Sequence, residues 1–139
     1  MNNIGLFNTI IFFLLSMLHF YWVLGGKWAL KDAVPYNEKG EKVLNPGKFD
    51  TLIVGIGLLL FAVFYLASSD LLEFALPAWL MKYGGWSISI IFLLRALGDF
   101  KYVGFSKKIK STDFAKKDTQ IYSPLCLLLG IVGVLVQLF

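Results

Sequence analysis

Long apolar runs separated by short charged segments dominate this chain, and runs of about twenty residues have the length a helix needs to cross roughly 30 Å of hydrocarbon. The first, residues 4–24, is interrupted only by Asn8, Thr9, Ser16 and His19, and Gly25-Gly26 supplies a C-terminal stop. The second, 49–69, follows the breaker Asn45-Pro46-Gly47, and Asp70 marks a return to water. The uncharged run Trp86 to Leu94 is too short to cross, so its helix must extend. An N-terminal extension would pass through Gly84-Gly85 toward Pro77, so the pattern favours 83–102, which brings Arg95 and Asp99 to the boundary. Pro124 to Phe139 is also short, and a start near residue 119 gives a fourth span, 119–139. Pro124 then either kinks that helix or opens a separate one capped by Ser123. The expected fold is an all-α transmembrane four-helix bundle forming one domain, 1–139.

Four spans place the first and third connections on one side. Lys27, Lys31, Lys39, Lys42 and Lys48 lie in the first, and Lys101, Lys107, Lys108, Lys110, Lys116 and Lys117 in the third, against Lys82 alone in the second. The positive-inside rule makes the lysine-rich side cytoplasmic and puts both termini on the extracytoplasmic side. Trp79, Tyr83 and Trp86 fit an outer aromatic belt, and Tyr21, Trp22, Trp28, Tyr102 and Tyr122 an inner one. Residues 34–44 read either as a small hairpin around Asn37 to Gly40 or as a disordered loop. Phe105, Ile109, Phe114 and Ala115 alternate with lysines, the pattern of a segment lying on an anionic leaflet.

Composition narrows the function classes. The chain is 58% hydrophobic and 16% charged with mean hydropathy +0.71, against about a quarter charged for a soluble domain. The formal net charge of +4 sits in lysines flanking apolar spans, where anionic headgroups are the simpler partner, and no nucleic-acid motif is present. One cysteine, Cys126, excludes an intrachain disulfide, a CxxC redox pair and a thiolate zinc site. The first run is longer than a signal h-region and lacks a basic n-region and a small-residue cleavage site, so it is expected to stay as a span. No metal or cofactor is expected.

Ionisable side chains inside spans are expensive and often functional. His19 near the end of the first span, Arg95 and Asp99 near the end of the third, and Asp118 with Tyr122 at the start of the fourth all belong to the lysine-rich face. With Tyr21, Trp22 and Tyr102 they form the candidate ligand-binding set, and His19, Asp99 and Asp118 are the candidates for acid-base chemistry. Arg95 can pair with Asp99 or with Asp118 to fix packing, or its planar fork can hold an anionic ligand. The small-residue pairs Gly55-x-Gly57, Ser87-x-Ser89 and Gly130-x-x-Gly133 suggest packing within the chain ahead of dimerisation.

The segments His19-Phe20-Tyr21-Trp22 with Gly25-Gly26, Arg95 through Phe105, and Phe114-Ala115 followed by Asp118-Thr119 and Tyr122-Ser123-Pro124-Leu125 carry a resemblance. The chain resembles a small bacterial four-span integral membrane family of unknown function, domain of unknown function 3995, over essentially its whole length. The resemblance implies the fold and a bacterial inner membrane location, and no activity, substrate or cofactor. Three functions follow from the residues. One is a cytoplasm-facing polar pocket that binds or transports a small amphiphile or lipid headgroup. Another is a membrane enzyme using histidine and carboxylate on a lipid-soluble substrate. The third is a structural or accessory subunit.

Overall fold

The computed structural model describes residues 3–35, 37, 39, 41–42, 47–69, 71 and 76–139, without the side chains of Lys31 and Asp32. Helix α1 runs Ile4–Val23, a short α2 Leu30–Ala33, α3 Lys48–Ser68 and α4 Ala78–Leu97. The last stretch combines α5, Asp113–Lys117, a π-turn at Asp118–Tyr122, and α6, Ser123–Leu138. Among the described residues there is no strand, and four helices are long and apolar enough to cross a membrane: α1, α3, α4 and the continuous Asp113–Leu138. The protein is therefore a multi-pass helical membrane protein, an architecture in which hydrocarbon demands that every backbone group be satisfied within its own helix.

Local chemistry sets the helix ends. At the end of α1, the Gly25 N–H donates to the Trp22 carbonyl and the Gly26 N–H to the Tyr21 carbonyl, with Gly25 at φ 104°, a left-handed stop that satisfies two terminal carbonyls. At the start of α3, the Gly47 N–H donates to the Asp50 carboxylate at 3.1 Å. The expected return to water at Asp70 lies outside the described residues.

The third helix departs from expectation. It occupies Ala78–Leu97 instead of 83–102, starting beside Pro77 and passing straight through Gly84-Gly85. Those glycines are close-approach positions: a Cβ on Gly85 would collide with the Gln137 side chain, and one on Gly84 would press on Phe64. Gly98 then stops the helix, so Asp99 and Tyr102 lie beyond it in a loop. At Pro124 the helix is continuous. Tyr122 and Ser123 both have right-handed helical dihedrals, and the Ser123 N–H reaches back five residues to the Asp118 carbonyl. The widened turn absorbs the proline, whose ring and missing N–H a regular α-turn would not accommodate.

The helices alternate in direction. Gly5 of α1 faces Tyr65 and Ser68 of α3 and Val136 of α6, Gly55 of α3 faces His19 and Phe20 of α1, and Gly130 of α6 faces Leu93 of α4. Of the small residues named from the sequence, Gly55, Ser89, Gly130 and Gly133 thus serve contacts within the chain, whereas Gly57 has open space beside it and Ser87 is exposed. Phe12 is fully buried at the centre, its ring 5.0 Å from that of Phe92, 5.6 Å from Phe61 and 5.8 Å from Tyr65. Since lipid is as apolar as these rings, their value lies in packing and shape. In the 34–44 connection the described part is a tight turn, with the Asn37 side chain accepting from the Lys39 and Glu41 N–H groups; Tyr36, Glu38, Gly40 and residues 43–44 lie outside the described residues. Phe114 and Ala115 are buried, so they face the protein and not a leaflet as their spacing suggested.

Candidate functional site

The end of the bundle where α1 and α4 finish and α5 begins carries the charged residues. The α4 terminus builds it. Beyond Leu97 the chain loops out and returns so that the Phe105 N–H donates to the Ala96 carbonyl at 2.8 Å and the Ser106 N–H to the Leu97 carbonyl at 3.0 Å. These bonds occupy helix-end carbonyls that have no partner within the helix. The neck of the loop is Gly98 (φ 96°) against Gly104 (φ 81°), whose backbones touch so closely that a Cβ on either would overlap the other strand of the neck. Asp99 organises the interior. One carboxylate oxygen accepts the N–H groups of Lys101, Tyr102 and Val103 at 2.9, 2.7 and 3.0 Å. Partial desolvation opposes its charge, but those backbone donors outweigh it and hold the Asp99 carboxyl below the ordinary range.

The neck delivers the Gly104 N–H to Asp118, the fully buried carboxylate of the π-turn, at 2.7 Å. Arg95 Nη2 donates to Asp118 Oδ1 at 2.8 Å, and Lys107 Nζ lies 3.2 Å from Oδ2 while donating to the Gly104 carbonyl at 3.0 Å. Of the two pairings open to Arg95 in the sequence, the structure holds the one with Asp118. Both oxygens of that carboxylate are engaged. Two cations nevertheless face one anion, and Arg95 Nη1 is buried without a hydrogen-bond partner.

The α1 candidates form a separate group. His19 Nδ1 sits 2.7 Å from the Leu15 carbonyl, which can only accept, so Nδ1 carries a proton and donates. Its ring is 4.8 Å from that of Trp22, whose indole N–H donates to the Trp28 carbonyl at 2.8 Å. The Tyr21 ring covers Gly26, and a shallow apolar groove of about 540 Å³ opens beside it between Leu14, Leu18 and Trp28. No hydrogen bond or ion pair joins His19 to Arg95, Asp99 or Asp118 among the described residues. Tyr102 is half-buried with the Lys101 ammonium 5.1 Å from its ring centre, and the Tyr122 ring lies 6.0 Å from that of Phe114. No grouping of three or more potential metal ligands occurs among the described residues.

Sequence reasoning missed Lys107 and the Gly104 amide, which complete the shell around Asp118. Lys107 sits in a lysine pair with Lys108, and nothing local distinguishes the buried member from the exposed one. It also passed over a neutral polar group deeper in the bundle: Asn8, Tyr65 and Ser89 are fully buried, and the Asn8 Nδ2 donates to the Leu129 carbonyl at 3.1 Å.

A family model described as protein of unknown function (DUF3995) matches residues 12–133. No curated protein and no solved structure matches the chain.

Proposed function

The chain belongs to the DUF3995 family, and we propose that it acts in the bacterial inner membrane by holding the anionic headgroup of a small amphiphile or lipid at its lysine-rich, cytosolic end. One observation carries this reading: Arg95 Nη1 is buried and unpartnered where Arg95 and Lys107 together outnumber Asp118. An uncompensated positive charge in a low-dielectric site attracts an anion, and a guanidinium fixed through one nitrogen presents its other edge in a defined plane. Asp118 is the positioning group and Arg95 the contact. Binding is favoured over transport, because the carboxylate is fully committed to Arg95, Lys107 and Gly104. His19 makes no hydrogen bond or ion pair with either aspartate among the described residues, so no direct contact favours the histidine-carboxylate enzyme.

The test is retention of anionic lipid by purified protein, counted by native mass spectrometry for the wild type, Arg95→Gln and Arg95→Lys. Arg95→Gln is expected to weaken retention about tenfold, near 1.4 kcal/mol, with Arg95→Lys intermediate. A folded Arg95→Gln protein that retains the same lipids with unchanged affinity overturns the proposal. It would support the second reading, an accessory subunit in which this cluster only locks α4 to the last helix; the closed shell around Asp118 favours that reading.

A further inference from the structure

The loop that closes the neck also shows an outer face that the Arg95 site does not use. Phe100 has φ 67°, a left-handed conformation that bulky side chains rarely adopt, and its N–H donates to Ser106 Oγ at 3.1 Å. Phe100 is 60% exposed, and Phe105 in the same loop 48%. Both are apolar side chains left outside the packed bundle, the reverse of what folding in water rewards.

The same loop concentrates charge. The N–H groups of Lys108 and Ile109 both donate to the Lys101 carbonyl at 2.9 Å, which sets Lys101 and Lys108 side by side, with Lys110 following; all three are exposed. Like charges held together by backbone bonds repel unless an anion lies between them. Asp99, the acid within the loop, has one carboxylate oxygen already occupied by three backbone donors. The loop starts where α4, a helix long and apolar enough to span a membrane, ends.

We propose that residues 98–110 form a leaflet-docking element: Phe100 and Phe105 enter the headgroup and upper acyl region of the membrane that holds the bundle, and Lys101, Lys108 and Lys110 pair with anionic headgroups. An aromatic wedge flanked by lysines joins buried apolar area to attraction for anionic lipid, and both terms act at this depth. The proposal is independent of the Arg95 reading, since none of these five side chains touches Arg95 or Asp118 by hydrogen bond or ion pair among the described residues.

The experiment is amide hydrogen exchange of the whole protein in nanodiscs of phosphatidylcholine alone and of an equal mixture with phosphatidylglycerol. Exchange across 98–110 is expected to slow by about fivefold or more in the anionic mixture, with the difference shrinking as salt rises. Replacing Lys101, Lys108 and Lys110 by Gln should abolish that difference, and Phe100→Ser should speed exchange in both lipids. Arg95→Gln should leave the lipid dependence intact. Equal exchange in the two lipids, or a lipid dependence that survives the triple replacement, overturns the proposal.

Discussion

Two regions of the bundle take polar groups out of water with opposite chemistry. At the lysine-rich end Asp118 gathers Arg95, Lys107 and the Gly104 amide within 3.2 Å, so charge answers charge and each carboxylate oxygen is used. In the other half, Asn8, Tyr65 and Ser89 come from three helices and meet at the Tyr65 hydroxyl, which lies near Asn8 and Ser89 without a hydrogen bond of full geometry to either. Gly133 permits the meeting, because a Cβ there would overlap Ser89 Oγ and press on the Tyr65 hydroxyl. Charges at the centre of a span cost about 2.5 to 3.5 kcal/mol each even on lenient insertion scales. They are therefore kept near a helix end, gathered on a carboxylate with both oxygens engaged, although Arg95 Nη1 is left without a partner. Neutral groups are cheaper to bury, and at depth an incomplete hydrogen-bond set is tolerated.

The largest way to break that contrast is Asp118→Ala. It leaves the buried Lys107 and the partly buried Arg95 without their shared anion, and a loss of up to about 3 to 5 kcal/mol is expected, read by thermal or denaturant unfolding in micelles. Replacing Asp118, Arg95 and Lys107 together by leucine should cost far less, since no uncompensated charge remains. A triple variant as unstable as Asp118→Ala would show that the cluster stabilises by something other than charge pairing. Next in size comes the neck. Gly98→Ala or Gly104→Ala forces a positive φ on a residue with a side chain and drives its Cβ into backbone, for about 1 to 3 kcal/mol, with loosened exchange at the Phe105 and Ser106 amides as the local signature.

How far the sequence reveals this arrangement depends on what each signal measures. The α1 and α3 helices are legible because long apolar runs end at strong breakers, Gly25-Gly26 and Asn45-Pro46-Gly47. The α4 helix is not, because Gly84-Gly85 reads as a breaker, whereas against Phe64 and Gln137 the same glycines allow helices to close on one another. That one misplacement propagates. With the helix drawn to Tyr102, Arg95 and Asp99 are neighbours one turn apart; with Gly98 ending it, Asp99 folds into its own loop and Arg95 turns to Asp118. That charged groups gather at one end is visible from hydropathy alone. Which of them touch is fixed by two left-handed glycines and one buried lysine, and no periodicity encodes those.

A smaller effect sharpens the other side of the comparison. Tyr65→Phe removes a hydroxyl whose approaches to Ser89 and Asn8 fall short of full hydrogen-bond geometry, so its stability change should stay within about 0.6 kcal/mol, the average for hydrogen bonds between helices in lipid. Asn8→Ala, which deletes the bond to the Leu129 carbonyl, should cost up to about 1.7 kcal/mol. The unfolding midpoints of the two variants decide it. A Tyr65→Phe loss above that of Asn8→Ala would mean that the hydroxyl is firmly bonded, and that the deep half does not tolerate the incomplete set argued for it.

The smallest expected effect is a pH dependence confined to the loop. Asp99 is exposed, and its carboxyl is held below the ordinary range by the Lys101, Tyr102 and Val103 amides despite the opposing pull of desolvation. A depressed folded pKa means that this group contributes stability at pH values above its unfolded value, about 3.9, and that the contribution fades as pH falls through the lower folded value. Acid should therefore release the three amides while the bundle stays folded. Their NMR shifts should move together in that window, and in Asp99→Asn, which cannot titrate, they should not. If the three amides stay fixed through the acid range in the wild type, the loop is held by the glycine neck alone, and Asp99 adds nothing to the presentation of Phe100.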